Sequence, residues 1–308
     1  MRMWQKAAFV GVLCTAAAVS SRSIDAADAL PPTVQSFELD VPVAETPTFS
    51  REAPPPLRAR FGHANLYAPA FFHAVDGSYD LIVHFHGMSS VQEGNIDRAH
   101  VNAAIVSVGI GFGSGPYEQA FRDPHTFAQL VATSARIIEK SGRVPDAHLG
   151  RVAVTSWSAG YGAVSSLLRQ PATVARVDAF LLAEGPHSNY ANEKTHVVDD
   201  APLAKFARVA EAAKHGDKLL ALTHSSIPTE ANGYPSTTET IGELLRLEAV
   251  DRVANAHTGP RGMRQIYEAD ARDFHVKGYE GTGVKDHVDH IRAMGETLFP
   301  YLKARWDR

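Results

Sequence analysis

The stretch with the most chemical promise runs from Arg151 to Leu168 and reads Arg-Val-Ala-Val-Thr-Ser-Trp-Ser-Ala-Gly-Tyr-Gly-Ala-Val-Ser-Ser-Leu-Leu. Strand character ends abruptly at Ser158, and a helical pattern begins at once. Ser156, Ala159, Gly160 and Gly162 are small, which lets the backbone take a tight, strained turn and lift one hydroxyl out of a sheet edge. A hydroxyl held in that way can serve as a nucleophile once a base takes its proton. A serine at the head of a helix can also be a plain N-cap. The strand before it, the helix after it and the glycines at 160 and 162 favour the nucleophile, and they favour Ser158 over Ser156.

Other residue types suggest other chemistry. His84 and His86 lie two apart on a strand and so face the same side, the start of a metal pair. No third ligand is identifiable, so packing or hydrogen bonding is the favoured reading, and no metal is expected. Gly109, Gly111, Gly113 and Gly115 punctuate one loop, but the Lys-Ser/Thr ending of a phosphate-cradling loop is missing and the dinucleotide spacing does not fit. A flexible loop beside a site is expected, with no cofactor. The formal charge of -4 and the scattered placement of 15 His give no basic stripe for nucleic acid.

The chain starts with basic residues, Arg2 and Lys6, ahead of the apolar run Ala7 to Val19 and a set of small residues through Ala29. That order reads as a secretory signal peptide over residues 1–29, and its apolar run is too short for comfortable membrane insertion. The expected product is exported, periplasmic or secreted, without stable membrane insertion. The single cysteine, Cys14, falls inside the run. Cleavage after it leaves no thiol, hence no disulfide, no Cys nucleophile and no Cys-based zinc site. Residues 30–57 are Pro-rich and read as an arm or linker with one edge strand in Phe37 to Val43.

Residues 58–308 read as one domain in which strands and helices alternate. Strands are expected at Arg58–Leu66, Tyr79–Phe85, Asn102–Val108, Arg151–Thr155, Asp178–Ala183, Lys218–Thr223 and Phe274–Tyr279. Helices are expected at Pro124–Lys140, Pro202–Lys214 and Thr238–Leu247, with a final helix carrying Val288, Ile291, Leu298 and Leu302 on one face. This alternation implies a mainly parallel central sheet with helices on both faces, a three-layer α/β/α fold.

Taken in order, the His86-Gly87-Met88 turn, the serine turn, an acid and a late histidine resemble the α/β-hydrolase superfamily over roughly Arg58 to the C-terminus. Ser158 and Gly160 match the G-x-S-x-G pattern, with Ser156 in place of its first glycine. The resemblance implies Ser158 as nucleophile and the amides of Met88 and Ala159 as an oxyanion hole. It implies a base in Asp286-His287-Val288-Asp289-His290, His287 first and His290 as the alternative. No carboxylate follows the Leu219–Thr223 strand, where the family usually has its acid. Glu184, at the end of the preceding strand, is the first choice, and Glu230 is the alternative.

His86, Gly87, Trp157, His187 and His224 are expected around the substrate. Glu118, Asn189, Tyr190, Ser225, Asn232 and Tyr234 are expected on a partly polar rim. The implied activity is acyl transfer to water, with carboxylic esters preferred and small-molecule substrates as partners. A peptidase or amidase using the same triad, or a binding protein on the same fold, are the alternatives.

Overall fold

The structure, a computed structural model, describes residues 54–229 and 233–308. The expected signal peptide over residues 1–29, the expected edge strand at Phe37–Val43, and Glu230 and Asn232 lie outside the described residues. Its strands are β1 (Leu57–Phe61), β2 (Ala64–Ala68), β3 (Ser78–Phe85), β4 (Ala103–Val108), β5 (His148–Trp157), β6 (Ala179–Ala183), β7 (Tyr190–Asn192), β8 (Val197–Val198), β9 (Leu219–Ser225), β10 (Val253–Thr258), β11 (Arg264–Ala271) and β12 (Phe274–Tyr279). Its helices are α1 (Ser89–Ala99), α2 (Ser114–Ala120), α3 (Pro124–Lys140), α4 (Tyr161–Leu167), α5 (Pro171–Arg176), α6 (Ala204–His215), α7 (Thr237–Leu247), α8 (Val284–Arg292), α9 (Met294–Thr297) and α10 (Phe299–Trp306).

All strands except the small β7–β8 pair form one sheet, ordered β1-β2-β4-β3-β5-β6-β9-β12-β11-β10. The run from β4 to β12 is parallel, while β1–β2 and β10–β11 extend it antiparallel at its two edges. Side chains alternate across the sheet. Leu81, Val83, Val152, Val154, Phe180, Leu182, Leu220 and Leu222 join the core under α3, α4, α6 and α7. Ile82, Ile105, Ala153, Leu181 and Ala221 join the core under α1 and α8–α10, with Ile96, Ile291, Leu298 and Phe299. The expected three-layer α/β/α architecture is therefore present.

Because α1 lies on one face and α3 on the other, the order reverses between β3 and β5. In open α/β sheets such a switch point opens a crevice at the carboxyl ends of the strands. The turn at His86-Gly87 leaves β3 there, and Ser158 leaves β5 there.

Four expectations need correction. The single strand Arg58–Leu66 is a hairpin, with Phe61 paired to Ala64 across a Gly62-His63 turn in which Gly62 takes φ 54°. Its first strand begins at Leu57, inside the segment assigned to the arm. The β10–β11 ribbon was not anticipated, because β10 is almost fully exposed and β11 alternates polar with buried residues. The final helix is three short ones. Pro300 sits at the start of α10, where it has no N–H to offer and its ring would collide with the carbonyl one turn back in a continuous helix.

Candidate active site

Ser158 follows β5 directly and takes φ +47°, the left-handed region that a serine adopts only when its surroundings impose it. Those surroundings are close. A Cβ on Gly160 would stand 2.2 Å from the Phe85 carbonyl oxygen, and one on Gly162 would stand 2.3 Å from that of Ser114. Both glycines are thus required by backbone contact, the first with the end of β3 and the second with the start of α2. Ser156, in the place of the pattern's first glycine, is buried, and its hydroxyl has no partner. It does not reach the crevice.

Three side chains meet at the switch point. Ser158 Oγ lies 2.8 Å from His287 Nε2, and His287 Nδ1 lies 3.0 Å from Glu184 Oε2. A carboxylate can only accept, so Nδ1 carries the proton and Nε2 is free to accept from the serine hydroxyl. Side-chain exposure falls inward, from 27% at His287 to 2% at Glu184. Ser158, Glu184 and His287, in that order along the chain, therefore meet in space, with Glu184 directly after β6.

Glu184 also takes positive φ, +53°, which turns its side chain back across the end of the sheet. Its Oε1 accepts from the Ser225 amide at 2.6 Å and the Ser225 hydroxyl at 2.8 Å. Burial alone would raise its pKa. The nearby His290, the hydrogen bond and charge of His287, and the Ser225 hydroxyl outweigh that and hold Glu184 down at about 2. It is a carboxylate at any physiological pH.

The N-terminus of α8, which carries His287, is tied down locally. Asp286 Oδ2 accepts from the amides of Thr282 and Gly283, each at 2.9 Å, which caps α8 one residue before the histidine. Trp157 donates its indole N–H to the His287 carbonyl at 2.9 Å, and its ring lies between His287, at 4.8 Å, and His86, stacked at 5.2 Å. Trp157, expected at the substrate, is half-buried and holds the backbone and ring of His287 in place.

His86 takes φ 72° and Gly87 φ 103°, so the chain turns sharply before α1. His84, fully buried, uses both ring nitrogens on protein groups: Nε2–H donates to the His86 carbonyl at 2.7 Å and Nδ1 accepts from the Thr155 hydroxyl at 2.8 Å. Burial pushes His84 down to about 3, so it stays neutral and holds that turn. His86 Nδ1 is 3.0 Å from the Tyr117 hydroxyl, which also accepts from the Ile110 amide at 3.1 Å. Tyr117, on α2, links the His-Gly turn to the glycine loop; sequence reading missed it because α2 was not anticipated.

The remaining candidates divide. His187 is half-buried between Tyr161 and Tyr234, with ring centroids 5.1 and 5.4 Å away, and it stays beside the crevice. His224 is buried. Its Nδ1 faces the Thr238 hydroxyl at 3.0 Å and its Nε2 the Tyr267 hydroxyl, so it supports the sheet and does not line the site. On the expected polar rim, Glu118 is paired with Arg169 at 3.0 Å, Tyr190 with Glu239 at 2.9 Å, and Ser225 is buried against Glu184. Three large apolar side chains in segments that follow the strand ends or precede His287 are exposed: Met88 after β3, Phe112 in the glycine loop after β4, and Val284 three residues before His287.

Among the described residues, no group of three or more His, Cys, Asp or Glu side chains is arranged to hold a metal, and no helix is long and apolar enough to cross a membrane.

No family model matches the chain, and no curated protein matches it. It is similar to several solved structures. One is an uncharacterised protein from Capnocytophaga ochracea, 12% identical with TM-score 0.44; the match covers 80% of this chain and 64% of that one, so this chain spans under two thirds of its length. A second is a siderophore hydrolase from Aspergillus nidulans, 15% identical with TM-score 0.44, covering 88% of this chain and 99% of that one. A third is a ferric enterobactin esterase from Salmonella typhimurium, 14% identical with TM-score 0.41, covering 85% and 60%. The strand order, the faces its helices cover and the sharp turn at the end of β5 give this chain an α/β-hydrolase-like fold.

Proposed function

We propose that the protein is a serine hydrolase that cleaves carboxylic esters by acyl transfer. One observation carries the reading: a strained serine, a histidine and a buried carboxylate hydrogen-bonded in series over 2.8 and 3.0 Å at the switch point of the sheet. Ser158 Oγ attacks the ester carbonyl while His287 Nε2 takes its proton. Glu184 holds the Nδ1–H tautomer and stabilises the imidazolium that forms. The amides of Met88 and Ala159 receive the developing oxyanion, each donor lowering the barrier by about 3 kcal/mol. His287 then protonates the departing alcohol, and water, deprotonated by the same nitrogen, releases the acid.

The exposed Met88, Phe112 and Val284 favour esters with an apolar acyl or alcohol part over charged ones. The N-terminal sequence of residues 1–29 supports export of the enzyme.

A fluorophosphonate probe tests the reading directly. Wild type is expected to be labelled on Ser158, with labelling abolished in Ser158→Ala and retained in Ser156→Ala. A folded wild type that stays unlabelled would refute it.

A further inference from the structure

His86 leaves the end of β3 at the switch point and is half-buried. Its backbone is fixed on both sides: its N–H donates to the Val108 carbonyl at 3.0 Å, and its carbonyl accepts from His84 at 2.7 Å. The ring is fixed as well, stacked on Trp157 at 5.2 Å and edge-on to Tyr117 at 5.4 Å. His86 Cβ lies only 3.0 Å from where a Cβ on Gly160, two residues after Ser158, would stand. One ring nitrogen, Nδ1, faces the Tyr117 hydroxyl. No protein group among the described residues meets the other, Nε2 at the tip of the ring, and it is not sealed from solvent.

Tyr117 decides where the hydrogen of that ring sits. Its hydroxyl oxygen accepts from the Ile110 amide at 3.1 Å. Tyr117 is fully buried, so the hydroxyl hydrogen needs a protein acceptor, and the one it meets among the described residues is His86 Nδ1 at 3.0 Å. The reverse arrangement, with Nδ1 donating, would strand a buried hydroxyl hydrogen at the full cost of its desolvation. Nδ1 therefore accepts, and the neutral ring carries its hydrogen on Nε2. Burial, and then the charge that His287 can carry, push His86 down to about 4, so the ring is neutral near pH 7.

We propose that His86 is a substrate-binding donor whose Nε2–H meets an uncharged oxygen on the acyl part of the ester, close to the scissile carbonyl. This rests on the hydrolase reading above and narrows its substrate class to esters whose acyl part carries an ether, hydroxyl or second carbonyl oxygen. His86 abuts the nucleophile turn through Gly160 and stands two residues before Met88, so its ring flanks the reacting carbonyl. The leaving alcohol must meet His287 to be protonated, and Trp157 carries His86 and His287 as separate neighbours at 5.2 and 4.8 Å. The acyl part is left to His86. A neutral imidazole between aromatic rings offers no countercharge, so an uncharged oxygen suits it better than a carboxylate. Tyr117 acts through His86 as a positioning residue.

Two isosteric reporter esters, p-nitrophenyl methoxyacetate and p-nitrophenyl butanoate, test the contact, since they differ by an ether oxygen in place of a methylene. Their intrinsic reactivities cancel when the ratio of their kcat/KM values is compared between variants. His86→Asn tolerates the positive φ of 72° and still offers Tyr117 an acceptor, but its side chain ends short of Nε2. The methoxyacetate-to-butanoate ratio is expected to fall by about fivefold in His86→Asn, the effect of one neutral hydrogen bond. It is expected to recover in His86→Gln, whose amide N–H reaches the position of Nε2. A ratio unchanged in His86→Asn, with both esters slowed alike, would make His86 a structural part of the turn and overturn the proposal.

Should His86→Asn not fold, the wild type still decides. Imidazole nitrogen shifts at pH 7 are expected to show His86 protonated on Nε2, and to show a mixture of tautomers in Tyr117→Phe. Protonation of the wild-type ring on Nδ1 alone overturns the proposal. A folded wild type that turns over neither ester and takes no fluorophosphonate label sinks the hydrolase reading, whereas turnover of both esters with Nδ1 protonated sinks the substrate contact alone.

Discussion

Replacing Glu184 by glutamine changes one oxygen for an NH2 group and keeps the volume, and the structure dictates which way the amide turns. The Ser225 backbone N–H, 2.6 Å from Oε1, cannot rotate, so the amide oxygen must stay there and the NH2 must face His287 Nδ1. Nδ1 then has to accept, which moves the ring hydrogen to Nε2. That nitrogen can no longer take the Ser158 proton. The charge is lost as well. Opposite charges about 4 Å apart at an effective dielectric near 20 interact by about 4 kcal/mol, roughly three decades in rate at 1.36 kcal/mol each. With the tautomer penalty added, Glu184→Gln is expected to slow fluorophosphonate labelling and reporter-ester turnover by about 10³- to 10⁴-fold. The unfolding midpoint serves as the control for folding. A folded variant within tenfold of wild type would refute Glu184 as the acid, and a larger loss in Glu230→Gln would transfer the role.

Gly160→Ala is expected to be strongly destabilised or insoluble, because its methyl would stand 2.2 Å from the Phe85 carbonyl oxygen on a strand that cannot retreat; an unfolding midpoint near wild type would contradict the contact. Ser156→Ala removes a buried hydroxyl with no partner and is expected to leave stability equal or higher by about 1 kcal/mol in urea unfolding. His84 and His224 are fully buried with pKa values near 3, against an ordinary 6.5, so below pH 6.5 the unfolded chain binds protons that the folded chain does not. Stability from this source is complete well above pH 6.5 and is expected to fall by about 3 kcal/mol between pH 6.5 and 5; a flat urea midpoint over that range would count against their burial. Phe112→Ser is expected to raise KM for long-acyl reporter esters more than for acetyl esters, and an equal effect on both would remove the apolar rim from substrate recognition.

The parts of the site that the sequence exposes are those where one residue type has few physical uses. Glycines at 160 and 162 beside a strand end mark a close backbone approach, and the structure finds carbonyl oxygens against both. Ser158 follows from them. Histidines after a Gly-Thr-Gly loop at the head of a helix could be placed near the serine, but His287 and His290 are one turn apart and only the three-dimensional path of α8 decides which one meets Ser158. The fold was legible where strands are buried on both faces and read as apolar runs. It was not legible in β11, where the buried face includes the polar Gln265 and the other face the apolar Ile266, so that neither a continuous apolar run nor a clean alternation appears.

The acid shows why local pattern was insufficient. At the end of β9, where a carboxylate is expected, the chain has Thr223, His224 and Ser225, and the first and last of these hold Glu184, the proposed acid, which stands one strand earlier. Thr223 accepts the Glu184 amide on its carbonyl at 2.8 Å and turns its hydroxyl to His290, while Ser225 supplies two hydrogen bonds to Oε1. His224 points away, into a pair with Tyr267. Moving the carboxylate from β9 to β6 thus leaves the end of β9 free to become its hydrogen-bonding floor. A glutamate suits the new position, since the extra methylene and the positive φ of Glu184 let the carboxylate reach back to β9 and outward to His287 at once. Glu184→Asp is therefore expected to keep the charge yet lose one of these two contacts. Its labelling rate should lie between those of wild type and Glu184→Gln, and a rate equal to wild type would show that the reach of the side chain is immaterial.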